Sequence, residues 1–121
     1  MLDTAAFQDA LANIPARVKE GETWLPTLDP NWRTTVDPTT LAMDDNERCV
    51  LGQIALSKGF AGENAAINML GSIGVSASWD DDEFEVSHGF TAPRQCSAVQ
   101  EREYFARLRE EWTHRLAAAG A

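Results

Sequence analysis

The sequence predicts a mainly α, single-domain fold over residues 1–121, with a short β-hairpin around residues 73–88 as its one candidate sheet. Three observations carry this. Apolar residues near the N-terminus recur on one helical stripe. A capped, charge-balanced amphipathic segment closes the chain. Between them, short apolar segments at residues 49–56 and 65–70 are bounded by glycines.

The first stripe is Phe7, Leu11, Ile14 and Val18, at spacings of four, three and four, which predicts a helix over Thr4–Glu20. Asp3 or Thr4 can cap its start and Gly21 can end it. Pro15 lies inside this span and is expected to kink or split the helix, because it removes a backbone donor. Residues 22–40 carry Pro26, Pro30 and Pro38 and read as an extended, turn-rich segment pinned by Trp24, Leu25, Leu28 and Trp32. Two tryptophans argue against a disordered linker, which lacks such buriable surface. Asp37-Pro38-Thr39-Thr40-Leu41 can open one helical turn.

Next, Asp45 or Asn46 can cap a short helix carrying Cys49, Val50, Ile54 and Leu56, with Gly52 in its interior. A mid-helix glycine costs about 1 kcal/mol relative to alanine, so Gly52 is expected to mark close packing against another backbone. Gly59 stops this helix. Gly62-Glu63-Asn64 turns the chain into a second short helix over Ala65–Leu70, stopped by Gly71 and Gly74. Phe84, Val86 and His88 then alternate with Glu83, Glu85 and Ser87, a period of two that suggests a strand. Ile73–Ala77 is its nearest partner, with the acidic residues between at the hairpin tip. The last element is the clearest. Ser97 and Gln100 stand in capping-box register. Phe105, Leu108, Trp112 and Leu116 follow on one face, and Glu103–Arg107 and Glu111–Arg115 are favourably ordered pairs. A helix over residues 98–118 is expected.

Composition narrows the function classes. Apolar residues make up 44% of the 121, including four Trp and five Phe, enough for one core without staples. Two cysteines, Cys49 and Cys96, fit free thiols in a reducing compartment better than a disulfide. The chain opens Met-Leu-Asp without a leader-like apolar stretch, and no run of about 18 apolar residues occurs, so a cytoplasmic setting without membrane partners is expected. The net charge of −9, from 19 acidic and 10 basic residues, argues against direct nucleic-acid binding and against anionic membranes. Asp80, Asp81, Asp82, Glu83 and Glu85 concentrate much of that excess in one segment.

Motifs that carry chemistry are scarce. The order Cys49, His88, Cys96, His114 contains no pair at the close spacing of a structural zinc site. The contiguous acids lack the alternating oxygens and the central glycine of a Ca²⁺ loop. Gly71-Ser72-Ile73-Gly74 is too short for a phosphate loop and no lysine follows it. No Gly-x-Ser-x-Gly elbow and no His-Glu-x-x-His occurs. No metal and no cofactor is therefore expected. Cys49 with His88 is the one pair that could serve as nucleophile and base. A buried thiol beside Val50 and Leu51 is the competing reading, since free cysteine packs as a small apolar group.

Four ordered blocks, LDPNWRTTVDPTTLAM, RCVLGQIAL, LGSIGV and HGF, resemble those of a family of small uncharacterised proteins of actinobacteria and their bacteriophages. The likeness covers roughly residues 24–116. Its most specific part is the Arg48-Cys49-x-Leu51-Gly52-Gln53 block, while the acidic segment from Trp79 to Glu85 departs from the pattern. The resemblance implies a phage-encoded protein of a bacterial cytosol and brings no activity with it.

The expected function is that of a small acidic accessory protein that binds and modulates a host protein without catalysis. Its binding residues would be Trp79, Asp80, Asp81, Asp82, Glu83 and Glu85, facing a basic surface on the partner, because dense acid steers a basic partner. Mimicry of a nucleic acid would need carboxylates spread over a whole face, which one run of five does not supply. The alternatives are a small enzyme using Cys49 and His88, and an assembly component of a phage particle.

Overall fold

The computed structural model describes residues 1–77 and 82–119, which form seven helices and, among the described residues, no strand. Helix α1 spans Thr4–Ala12, and the Asp3 carboxylate caps it by accepting the Ala6 N–H at 2.8 Å. Pro15 does split the first predicted helix. The chain breaks at Asn13 and restarts as α2 over Ile14–Leu28, with Pro15 in the first turn, where no intrahelical donor is required. The apolar stripe survives the break, since Phe7, Leu11, Ile14 and Val18 are all buried.

Helix α2 does not stop at Gly21. It runs through Trp24 and Pro26 to Leu28, where an extended segment was expected. Val18, Gly21, Leu25 and Leu28 are buried and continue the stripe at spacings of three, four and three. That burial outweighs the backbone hydrogen bond lost at Pro26. Asp29 then accepts from the Asn31 N–H (2.9 Å) and the Thr35 hydroxyl (3.0 Å), framing the one-turn helix α3, Trp32–Thr35. Residues 37–40 form a single turn held by Thr39, whose N–H and hydroxyl both donate to the Asp37 carboxylate.

Helix α4 spans Val50–Ser57 and α5 spans Ala65–Ser72, and the two pack on each other. The cap of α4 is Cys49, whose Sγ accepts the Gly52 N–H at 3.3 Å. Asp45 caps the preceding turn instead, accepting from the N–H groups of Glu47 and Arg48. Gly52 is at a close backbone approach, as its cost in a helix suggested: a Cβ there would overlap the Asn46 carbonyl. Gln53 adds a clamp. Its Oε1 accepts the Asp37 N–H at 2.6 Å, while its Nε2 donates to the carbonyls of Arg48 (2.9 Å) and Asp37 (3.2 Å).

The β-hairpin expected around residues 73–88 is not formed among the described residues. Residues Glu83–Ser87 are helix α6. Phe84 and His88 are four apart, so a helical turn stacks their rings, with centroids 4.0 Å apart, while a strand would leave them separate. The proposed partner segment is also engaged elsewhere: Val75 N–H donates back to the Leu70 carbonyl at 2.9 Å, closing α5 through Gly74 at φ +83. Helix α7 spans Ala98–Ala119. Its capping box is realised: Gln100 N–H donates to Ser97 Oγ (3.2 Å) and Ser97 N–H to Gln100 Oε1 (2.9 Å). The Gln100 amide also grips the Leu2 backbone at both N–H and C=O, fastening the N-terminal residues to α7.

The core is centred on Trp112 of α7. Trp32 meets it edge-on at 5.9 Å, Phe90 lies parallel to it at 5.6 Å, and its indole N–H donates to the Gly89 carbonyl at 2.7 Å. Tyr104 shares the buried face, whereas Phe105 is only partly covered. Arg115 binds α7 to α2, donating to Glu111 (2.8 Å), Glu22 (3.0 Å) and the Pro15 carbonyl (3.2 Å). Trp112→Ala is expected to cost about 3–5 kcal/mol by denaturant unfolding. Gly52→Leu is expected to be strongly destabilising, and an unchanged melting temperature would rule out the close approach at Asn46.

Candidate functional site

A five-residue helix cannot hold itself in water, since helix nucleation is costly. Helix α6 is instead held by rings. Trp24 of α2 meets Phe84 edge-on at 4.9 Å, His88 stacks on Phe84, and Phe90 lies 6.0 Å from Trp24. Backbones approach just as closely. Gly89 takes φ +74, and a Cβ on it would sit 2.8 Å from the Val18 backbone; a Cβ on Gly21 would overlap the His88 carbonyl. The His88-Gly89-Phe90 segment thus lies directly on α2, and α6 is carried with it.

The acidic residues are divided by this anchoring. Trp79, Asp80 and Asp81 lie outside the described residues. Asp82 stands at the N-terminus of α6, partly exposed, and Glu83 is exposed on its first turn. Glu85 turns inward, with both carboxylate oxygens out of contact with solvent. It is therefore wall rather than outer surface, contrary to the expectation that all the acids face a partner. On one side, Asp82 and Glu83 share a groove with Arg17 and Arg94. On the other, a cavity of about 160 Å³ opens between the turn at Met43, α5 and α6, lined by Ile67, Phe90, Glu63, Asp82 and Glu85. Sequence reasoning misses Glu63, which the sequence marks only as part of a turn. It stands 19 residues from Asp82 in the chain, and no local pattern links the two.

Cys49 and His88 are placed for structure. The Cys49 thiol serves as the cap of α4, and burial pushes its pKa up from 9.0 to about 11, with the nearby Asp45 charge in the same direction and the Gly52 N–H opposing. A thiol so protonated is a poor nucleophile near neutrality. His88 Nδ1 lies 2.8 Å from the Phe84 carbonyl, which can only accept, so Nδ1 carries the proton there. Ser87 Oγ is 3.0 Å from the same nitrogen. No hydrogen bond joins His88 to Cys49. Among the described residues, no group of three His, Cys, Asp or Glu side chains is placed to hold a metal ion, and no helix is long and apolar enough to cross a membrane.

No family model matches the chain, and no curated protein or solved structure matches it either.

In a Cys96→Ser background, alkylation of Cys49 by iodoacetamide at pH 7.5 is expected to be slow in the native state and fast in denaturant. The folded pKa lies above that of the unfolded chain, so the thiol favours folding below pH 9.0 and loses that contribution as pH rises through about 11. Rapid native alkylation at neutral pH would contradict this placement.

Proposed function

We propose that this protein is a small acidic binding module that docks onto a basic surface of a host protein and modulates it without catalysis. The observation that carries the reading is the fixing of α6: a helix of five residues is held by the Trp24–Phe84–His88–Phe90 ring cluster, so that Asp82 and Glu83 are held at a set place on the surface. The surrounding charge supports it. The net charge is −9, and Asp80 and Asp81 precede these residues directly. Clustered like charge raises the encounter rate with an oppositely charged partner and disfavours others. The reading places the protein in a bacterial cytoplasm, and, on the resemblance of its Arg-Cys-x-Leu-Gly-Gln block, makes it phage-encoded in an actinobacterial host. The raised pKa of Cys49 supports a non-catalytic role over an enzyme built on Cys49 and His88.

The test is affinity capture from host lysate, followed by binding of the purified captured protein at low and high salt. Wild type is compared with a variant carrying Asp80→Asn, Asp81→Asn, Asp82→Asn and Glu83→Gln. The expected result is one basic host protein whose affinity falls roughly tenfold or more on neutralisation, and falls again with salt. Binding indifferent to both charge and salt would overturn the reading.

A further inference from the structure

The concavities of this surface differ in charge balance. Arg102 and Arg109 accompany Asp44 and Glu101 beside α7, Arg17 and Arg94 accompany Asp82 and Glu83 beside α6, and Arg33 and Arg115 accompany Glu22 and Glu111 between α2 and α7. The cavity between α5 and α6 is unlike them. Among the described residues, Glu63, Asp82 and Glu85 line it and no Lys, Arg or His does. These carboxylates come from two separate parts of the chain and are not gathered closely enough to hold a metal ion. Apart from Asn46 and Thr91, its remaining wall is apolar, from Met43, Cys49, Ala66, Ile67 and Phe90. Its volume of about 160 Å³ is close to that of a cavity of roughly 150 Å³ that takes a benzene-sized guest.

We propose that this cavity is a socket for one long cationic side chain, an arginine or a lysine, projecting from a basic segment of the partner protein. Its two kinds of wall match the two parts of such a side chain. The methylene stem packs on Met43, Ile67 and Phe90, and the charged head meets the solvent-reachable carboxylates of Glu63 and Asp82, as long basic side chains do when they cover apolar surface with the charge held at a polar margin. Recognition is by apolar contact and carboxylate charge. A neutral side chain of the same length would gain the first and lose the second. The proposal rests on the docking reading above and names the group that the partner would insert.

The test uses NMR titration of the ¹⁵N-labelled protein with the peptide acetyl-Gly-Gly-Arg-Gly-Gly-amide, its lysine counterpart, and citrulline and acetyl-lysine versions as neutral controls. The cationic peptides are expected to produce saturable shifts at Met43, Ala66, Ile67 and Thr91, and the neutral ones at least fivefold smaller shifts. Two variants separate the socket from general acidity. Ala66→Met fills the cavity while leaving every carboxylate in place, and Glu63→Gln removes one lining charge outside the acidic segment. Both are expected to abolish the localised shifts, with circular dichroism confirming that each is folded. If Ala66→Met does not fold, Glu63→Gln alone decides. Shifts absent at millimolar peptide, equal for citrulline, or unchanged in the folded variants would overturn the socket. In that event, loss of host-protein capture on neutralising Asp80–Glu83 would still stand for the docking surface alone.

Discussion

The contact on which the rest of this structure depends is the seating of the His88-Gly89-Phe90 backbone directly on α2. Two glycines make it. Gly21 leaves room for the His88 carbonyl, and Gly89, at φ +74, lies against the backbone of Val18, where a side chain would not fit. Once that crossing is closed, the Gly89 carbonyl is positioned to accept the Trp112 indole N–H, and Phe90 lies parallel to the same indole. A buried tryptophan needs such a partner, since an unsatisfied polar group in a core is costly. The aromatic column then extends outward through His88 and Phe84 to Trp24, and α6 has its support. Any side chain at Gly21 would separate α2 from all of these at once.

A second junction of the same kind organises the middle of the chain. Cys49 caps α4 through its sulfur, Gly52 admits the Asn46 carbonyl, and Gln53 reaches back to both backbone polar groups of Asp37. The three residues stand within five positions of one another, which is why the block reads as distinctive in sequence. Its chemistry is that of a splice between the loop over residues 37–48 and the α4–α5 pair. Cys49 is spent on this splice, and its raised pKa is a consequence of the burial that the splice requires.

The proposed docking role draws on what these two junctions leave at the surface. The core is built almost wholly from apolar and aromatic groups, and no polar or charged residue is fully buried among the described ones. The charge is thus left largely to the surface, with the inward Glu85 carboxylate as an exception. Ion pairs join Glu22 of α2 to Arg33 of α3 and to Arg115 of α7, and Arg115 also pairs with Glu111 within α7. Around α6, acids and a small apolar cavity coincide, and this coincidence, rather than any catalytic motif, is the chemically distinctive feature of the surface.

Much of the fold was legible in the sequence. The stripe Phe7–Leu11–Ile14–Val18, the Ser97–Gln100 box and the Leu108–Trp112–Leu116 face are local patterns that repeat at the helical period, so propensity and burial agree there. Pro15 announced a break, and Gly52 announced a close approach, because each has a local cost that needs a reason. What failed were segments whose local signals were weak or opposed. Pro26, Pro30 and Pro38 suggested an extended, turn-rich segment over residues 22–40, but packing of Leu25 and Leu28 kept residues 22–28 helical. Six residues at 83–88 fit a strand period and a helical turn equally well, and only the Phe84–His88 stack on Trp24 chose between them. The inward turn of Glu85 and its meeting with Glu63 lie beyond any pattern in the chain. The sequence by itself determined α1, the start of α2, α4, α5 and α7, the core-facing stripes and the acidic balance, because these depend on residues within a turn or two of each other. The cavity and the division of the acids between surface and wall were decided only by tertiary structure, because they depend on which backbones can touch, and that was set at Gly21 and Gly89.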